Sequence, residues 1–229
     1  MPTLTRNLFR GQGERDHALE VVEGHWPMDV EGSVFVVGPD KRAPEGHWFA
    51  EAGLLEKIRL VPDRRGRISV QHRIIDTPVQ RLKRRLGFLF RRIVFMELSP
   101  FGVTNLANTN VQSIEGRMFV GYDAGRPIEV DPETLRFLTP VGSNAEWLQG
   151  APGVFEPLCA VAAHPASDFE ERALYFVNYT QISPPGVPKE TWLARWPLDG
   201  PVRRWRVEGM SEFDSIHDIK ATEDRKSVV

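Results

Sequence analysis

Two short stretches carry residue types suited to holding a metal ion. Ser215-Ile216-His217-Asp218-Ile219 sets a histidine between two isoleucines and directly before a carboxylate. Ala162-Ala163-His164-Pro165-Ala166-Ser167-Asp168 sets another histidine after two alanines, 53 residues upstream of the first. A neutral imidazole is the commonest metal ligand, and its second nitrogen needs an acceptor to fix the tautomer. The six histidines are His17, His25, His47, His72, His164 and His217. No two of them stand in an H-x-x-x-H or H-E-x-x-H pattern, and the single Cys159 cannot build a zinc knuckle. There is no Walker loop, no G-x-S-x-G elbow and no G-x-G-x-x-G. A lone histidine in a β protein is ordinarily structural, so spacing leaves both a ligand role and a core role open for His164 and His217.

The elements that must position these residues read as short strands. Ser33–Val37, Ala173–Asn178, Thr191–Trp196 and Val202–Val207 are β-rich runs between Gly and Pro punctuation. Ile58–Leu60 and Ile68–Val70 flank the polar turn Pro62-Asp63-Arg64-Arg65-Gly66-Arg67, which predicts a hairpin. A second hairpin is predicted around Glu115-Gly116-Arg117, and Asp131-Pro132-Glu133-Thr134-Leu135 predicts a turn. Many short strands at regular spacing predict an all-β sandwich, barrel or propeller. Residues 1–20 are polar and weakly patterned and read as an N-terminal arm, with one domain over 21–229.

Composition narrows the function classes. The 229 residues are 41% hydrophobic and carry a formal net charge of −2, so nothing global favours nucleic acid. One cysteine leaves no internal disulfide, which suits a reducing, cytoplasmic setting. No window approaches the roughly 18 consecutive apolar residues of a spanning helix. One segment departs from the strand pattern. Val79, Leu82, Leu86, Leu89, Phe90 and Ile93 fall at helical spacing, while Arg81, Lys83, Arg84, Arg85, Arg91 and Arg92 cover much of the rest. A basic amphipathic helix of this kind suits peripheral contact with an anionic membrane through Leu82, Leu86, Leu89, Phe90 and Ile93. It equally suits a solvated face packed on the body of the protein. Gly87 weakens the helix in either case.

Taken in order, five stretches resemble the carotenoid cleavage oxygenases, the retinal pigment epithelial membrane protein-like dioxygenases. They are Gly24-His25-Trp26-Pro27 through Phe35, Gly46-His47-Trp48-Phe49 through Leu54, Asn108 through Leu135, Ala163-His164-Pro165 with Asp168, and Ile216-His217-Asp218-Ile219 with Thr222-Glu223. Ala50-Glu51-Ala52-Gly53 departs from the Asp-Gly-Asp-Gly more usual there. The resemblance implies the N-terminal blades of a seven-bladed β-propeller that holds Fe(II) on its axis through four histidines. His164 and His217 match the first two ligands. Asp123 matches a carboxylate that orients a ligand histidine; the family usually has Glu there, so the shorter side chain implies a water-bridged or absent contact. The implied reaction is cleavage of a conjugated C=C bond of a carotenoid or apocarotenoid by dioxygen, giving two carbonyl products. The family's two further histidines lie beyond the second motif, which implies that these residues are a truncated piece. The alternative from another class is a non-catalytic β domain that binds lipid surfaces through residues 79–93.

Overall fold

A computed structural model describes residues 13–27, 29–40, 50–93, 96–151, 153–179, 189–210, 216–221 and 227–228. His47, Thr222 and Glu223 lie outside these. The first sheet pairs β1 (Arg15–Leu19), β2 (Ser33–Pro39), β3 (Gly53–Arg59) and β4 (Ile68–Ile74) in the order β1-β4-β3-β2. After it come helix α1 (Pro78–Leu86) and a small sheet of β5 (Arg91–Ile93), β6 (Met96–Ser99) and β7 (Gly102–Val103). The next sheet joins β8 (Asn110–Ile114), β9 (Arg117–Gly121), β10 (Ile128–Val130) and β11 (Phe137–Pro140) in sequential meander order. The last large sheet holds β12 (Ala160–Val161), β13 (Ala166–Asp168), β14 (Ala173–Tyr179), β15 (Thr191–Trp196) and β16 (Arg203–Arg206). A final pair is β17 (Lys220–Ala221) with β18 (Ser227–Val228). All strand pairings within the sheets are antiparallel.

The large sheets stack face to face as the blades of a partial β-propeller, and the side-chain alternation of β9 shows why. Met118 and Val120 point into a core shared with Leu55 and Ile75 next to the first sheet. Phe119, between them, points the other way into a core with Leu174, Phe176 and Trp196 of the last large sheet. A strand buried on both faces loses its polar alternation, which explains the run Met118-Phe119-Val120. Phe119 meets Trp196 edge to face at 5.1 Å, worth about 0.5–1.5 kcal/mol beyond area burial. The Arg117 guanidinium lies over both rings and binds Glu129 through two 2.7 Å hydrogen bonds. β14 repeats the pattern: Leu174 and Phe176 face inward to that core, while Val177 and Tyr179 join Ile216 and Ile219 on the opposite face.

Two sequence expectations are corrected. Within the polar arm, Arg15–Leu19 form a strand on the outer edge of β4, in register from Arg15 opposite His72 to Leu19 opposite Ile68. Ion pairs Arg73–Asp16 (2.6 Å) and Arg136–Glu14 (2.9 Å) hold it there, since its side chains are mostly exposed. The helix expected through Ile93 ends at Leu86. Thr77 caps it by accepting from the Gln80 N–H, and Lys83, Arg84 and Arg85 suit its C-terminal dipole. Gly87–Leu89 then form a single 3₁₀ turn, and Ile93 pairs with Met96 in a strand. Glycine's low helix propensity and the β5–β6 ladder together take the backbone away from the helix. Leu82, Leu86, Leu89 and Phe90 are half-buried and Ile93 is exposed, so the five do not form one helical stripe.

Glycine is required where the end of β9 passes the segment after β12. A Cβ on Gly121 would run into the Ala163 carbonyl. Gly121→Ala is therefore expected to lower unfolding free energy by about 3 kcal/mol, at the upper end of overpacking costs. Gly38→Ala, whose Cβ would meet nothing within 4 Å, should change it far less. Urea denaturation of both variants checks this.

Candidate metal centre

Three segments from three places in the chain converge where Gly121 admits Ala163. Asp123 follows β9 by two residues, and its carbonyl accepts from the Val161 N–H at 3.2 Å. His164 follows β12, after the fully buried Ala162 and Ala163. His217 sits between Ile216 and Ile219, both buried against Val177 and Tyr179. The His164 N–H donates to the His217 carbonyl (3.1 Å), and the Ile219 N–H donates to the His164 carbonyl (3.2 Å). This short parallel splice sets the two imidazoles side by side.

Their rings stand 4.7 Å apart at 65°, and the two Nε2 atoms are 3.1 Å apart. His217 Nδ1 donates to Asp123 Oδ1 at 2.9 Å. A proton held on Nδ1 leaves the Nε2 lone pair of His217 directed toward His164. For metal–imidazole bonds of about 2.1 Å, two ligands at a right angle lie about 3.0 Å apart. The observed pair fits a shared cation on that measure, and without one His164 Nε2–H can donate to His217. Burial, with His217 beside it, holds the His164 imidazole below the usual histidine range, which favours the neutral, ligating form. His217 keeps 55% of its side chain exposed, so the site opens to solvent. Among the described residues no cluster of three or more His, Cys, Asp or Glu could hold a metal. Two imidazoles alone would bind a cation weakly.

The direct Asp123 contact corrects the expectation that its shorter side chain falls short of the histidine. The backbone link from Asp123 to Val161 brings the carboxylate close enough to reach without a bridge. Asp218, next to His217 in sequence, turns away to Lys220 at 3.1 Å. Asp168 likewise caps a turn, accepting from the Glu171 N–H at 2.8 Å. Gln112 escaped the sequence reading: it donates to the Pro165 carbonyl at 2.7 Å and accepts from Ser167, bracing the His164 loop against β8. Nothing in its local sequence marks it, because the contact spans two sheets. The other described histidines lie elsewhere. His17 and His72 stack at 4.9 Å across β1 and β4, and His25 is exposed.

Comparison with known proteins identifies the family. The family model of the retinal pigment epithelial membrane protein matches residues 8–225. Apocarotenoid-15,15'-oxygenase of Synechocystis sp. is 25% identical over 223 residues, covering 91% of this chain and 44% of the relative. Carotenoid cleavage dioxygenase 7, chloroplastic, of Oryza sativa subsp. japonica is 31% identical over 156 residues, covering 58% of this chain and 25% of that protein. The crystal structure of cobalt-substituted Synechocystis apocarotenoid oxygenase superposes with a TM-score of 0.65 at 20% identity, over 93% of this chain and 46% of the other. The chain thus spans under half the length of the relatives it matches. On the strength of the family match, the chain belongs to the retinal pigment epithelial membrane protein family, that of the carotenoid oxygenases.

Proposed function

We propose that this chain carries part of the site of an Fe(II)-dependent dioxygenase that splits a conjugated C=C bond of a carotenoid or apocarotenoid into two carbonyl products. The observation that carries the proposal is the convergence of His164 and His217 at 3.1 Å with Asp123 behind His217. When bound, iron would supply the activation of dioxygen, and His164 and His217 would hold it on this side. Asp123 keeps the proton on His217 Nδ1 and fixes the ring's orientation. Ile216 and Ile219 anchor the His217 segment in the core, so the imidazole is held by packing as well as by the backbone splice. The substrate is a lipophilic polyene, in keeping with the names of the relatives.

A peripheral lipid contact is the second part of the proposal, favoured by one exposed patch. Phe88 is 81% exposed beside α1, and Pro78, Arg81, Leu82, Arg84, Arg85 and Phe155 line a recess of about 460 Å³. Asp76 binds Arg84 through two hydrogen bonds and Arg81 through one, which reduces the positive charge the patch presents. Its attraction to a membrane would rest on aromatic burial more than on charge.

Titrating the chain with Co(II) and following visible absorption should show binding that disappears in both His164→Ala and His217→Ala. Asp123→Ala should weaken it about 10- to 100-fold. Binding unchanged by either histidine substitution would reject the site. Sedimentation with vesicles containing anionic phospholipid checks the second part. Phe88→Ser should lower the bound fraction and His164→Ala should leave it unchanged; equal binding by Phe88→Ser and the native chain would remove the lipid contact.

A further inference from the structure

The two imidazoles of the candidate centre are held in different ways. Asp123 fixes His217 through its ring. Among the described residues no carboxylate hydrogen-bonds the His164 ring: Asp218 is drawn to Lys220, Asp168 to the Glu171 N–H, and Nε2 faces His217. His164 is therefore placed through its backbone. Its N–H and its carbonyl are both committed to the splice with the His217 segment. Pro165 follows it, and a residue before proline is kept out of the helical region. The splice ties the two histidine segments to each other, and a further contact must tie them to the sheet that carries Asp123.

Gln112 makes that tie. It stands on β8 opposite Phe119 of β9, so its side chain leaves the sheet on the same face as Phe119, toward the last large sheet. Nε2 donates to the Pro165 carbonyl at 2.7 Å, and Oε1 accepts from the Ser167 hydroxyl at 3.2 Å. A carbonyl only accepts, so the amide nitrogen must face Pro165, which leaves the amide oxygen for Ser167. Ser167 is itself fixed in β13, opposite Leu174 of β14. The loop that bears His164 is thus pinned to the β8–β9 sheet on both sides. Val161 before it donates to the Asp123 carbonyl, and Pro165 after it accepts from Gln112.

We infer that Gln112 is the positioning residue of His164, doing through the Pro165 backbone what Asp123 does for His217 through its ring. For metal binding this rests on the proposed reading of the two histidines as ligands; for the placement of the rings in the metal-free chain it does not. Both imidazoles are then referenced to one sheet, His217 to the end of β9 and His164 to β8. The 3.1 Å between the two Nε2 atoms is set by that sheet as well as by the splice. An apolar side chain of the same length would fill the space of Gln112 and release the loop, leaving the rings free to drift apart. Two ligands bind a cation together only while their separation is held, so the tie acts on affinity.

Gln112→Met separates positioning from packing, because methionine keeps the length and bulk and cannot donate. In the metal-free full chain with labelled histidine, the native protein should show a ring-to-ring nuclear Overhauser effect between His164 and His217, whose centroids lie 4.7 Å apart. Gln112→Met should weaken it severalfold while amide exchange in β9 and β14 stays native. Co(II) titration should show about tenfold lower affinity in Gln112→Met. Ser167→Ala should lose less on both measures, since the bond to the Pro165 carbonyl remains. A Gln112→Met chain with the native ring contact, or with native Co(II) affinity, overturns the inference. So does a loss of protection shared by β9 and β14, which would make Gln112 a general structural residue, or a native chain without the ring contact. Should the native chain bind no Co(II), the metal reading falls and the ring contact alone decides the role of Gln112.

Discussion

Two backbone hydrogen bonds, His164 N–H to the His217 carbonyl and Ile219 N–H to the His164 carbonyl, hold together residues far apart in the chain. Side chains alone could not do this, because His217 is largely exposed and its ring gains little from burial. The splice depends in turn on what lies behind each partner. Ile216 and Ile219 anchor one side in an apolar core that Ala162 shares, and the Ala163 backbone lies against Gly121 at the end of β9. Small residues are needed there, since a larger side chain would hold the histidine segment away from Asp123.

The site is therefore assembled from the inner ends of neighbouring sheets, with each sheet giving one polar group. Asp123 comes from the end of β9, His164 from the end of β12, and His217 from the segment before β17. This geometry favours binding over catalysis by side chains. No nucleophile with an adjacent base is among the residues described at the site. What the protein supplies is orientation: the tautomer of one imidazole and the fixed separation of two.

Much of the fold was legible because turn chemistry and strand periodicity are local. The hairpins β3–β4 and β8–β9 and the turn at Asp131–Leu135 fall where glycine, proline and aspartate placed them. The short strands β5–β7, β12 and β13 were not legible, because two to four residues carry no period. The helix ended early for a reason the apolar spacing hides: continuing it would have cost the β5–β6 ladder. At the site, His164, His217 and Asp123 were found through resemblance to a family. Their spacing contributed little, and the neighbouring carboxylate Asp218 pointed the wrong way. Gln112 and Gly121 could not be found at all without knowing which sheets touch.

The double burial of β9 has a consequence for how its alignment is specified. In a strand with one wet face, sliding by one residue would push polar groups into the core, and polarity alone forbids the slip. Here a slip would exchange Met118 and Val120 for Phe119 and Gly121 and leave both sides apolar. What rules it out is volume: Phe119 fits only against Trp196, and only a residue without a side chain fits beneath Ala163. The alignment that delivers Asp123 to His217 is encoded in the sizes of neighbouring residues, and hydropathy is blind to it.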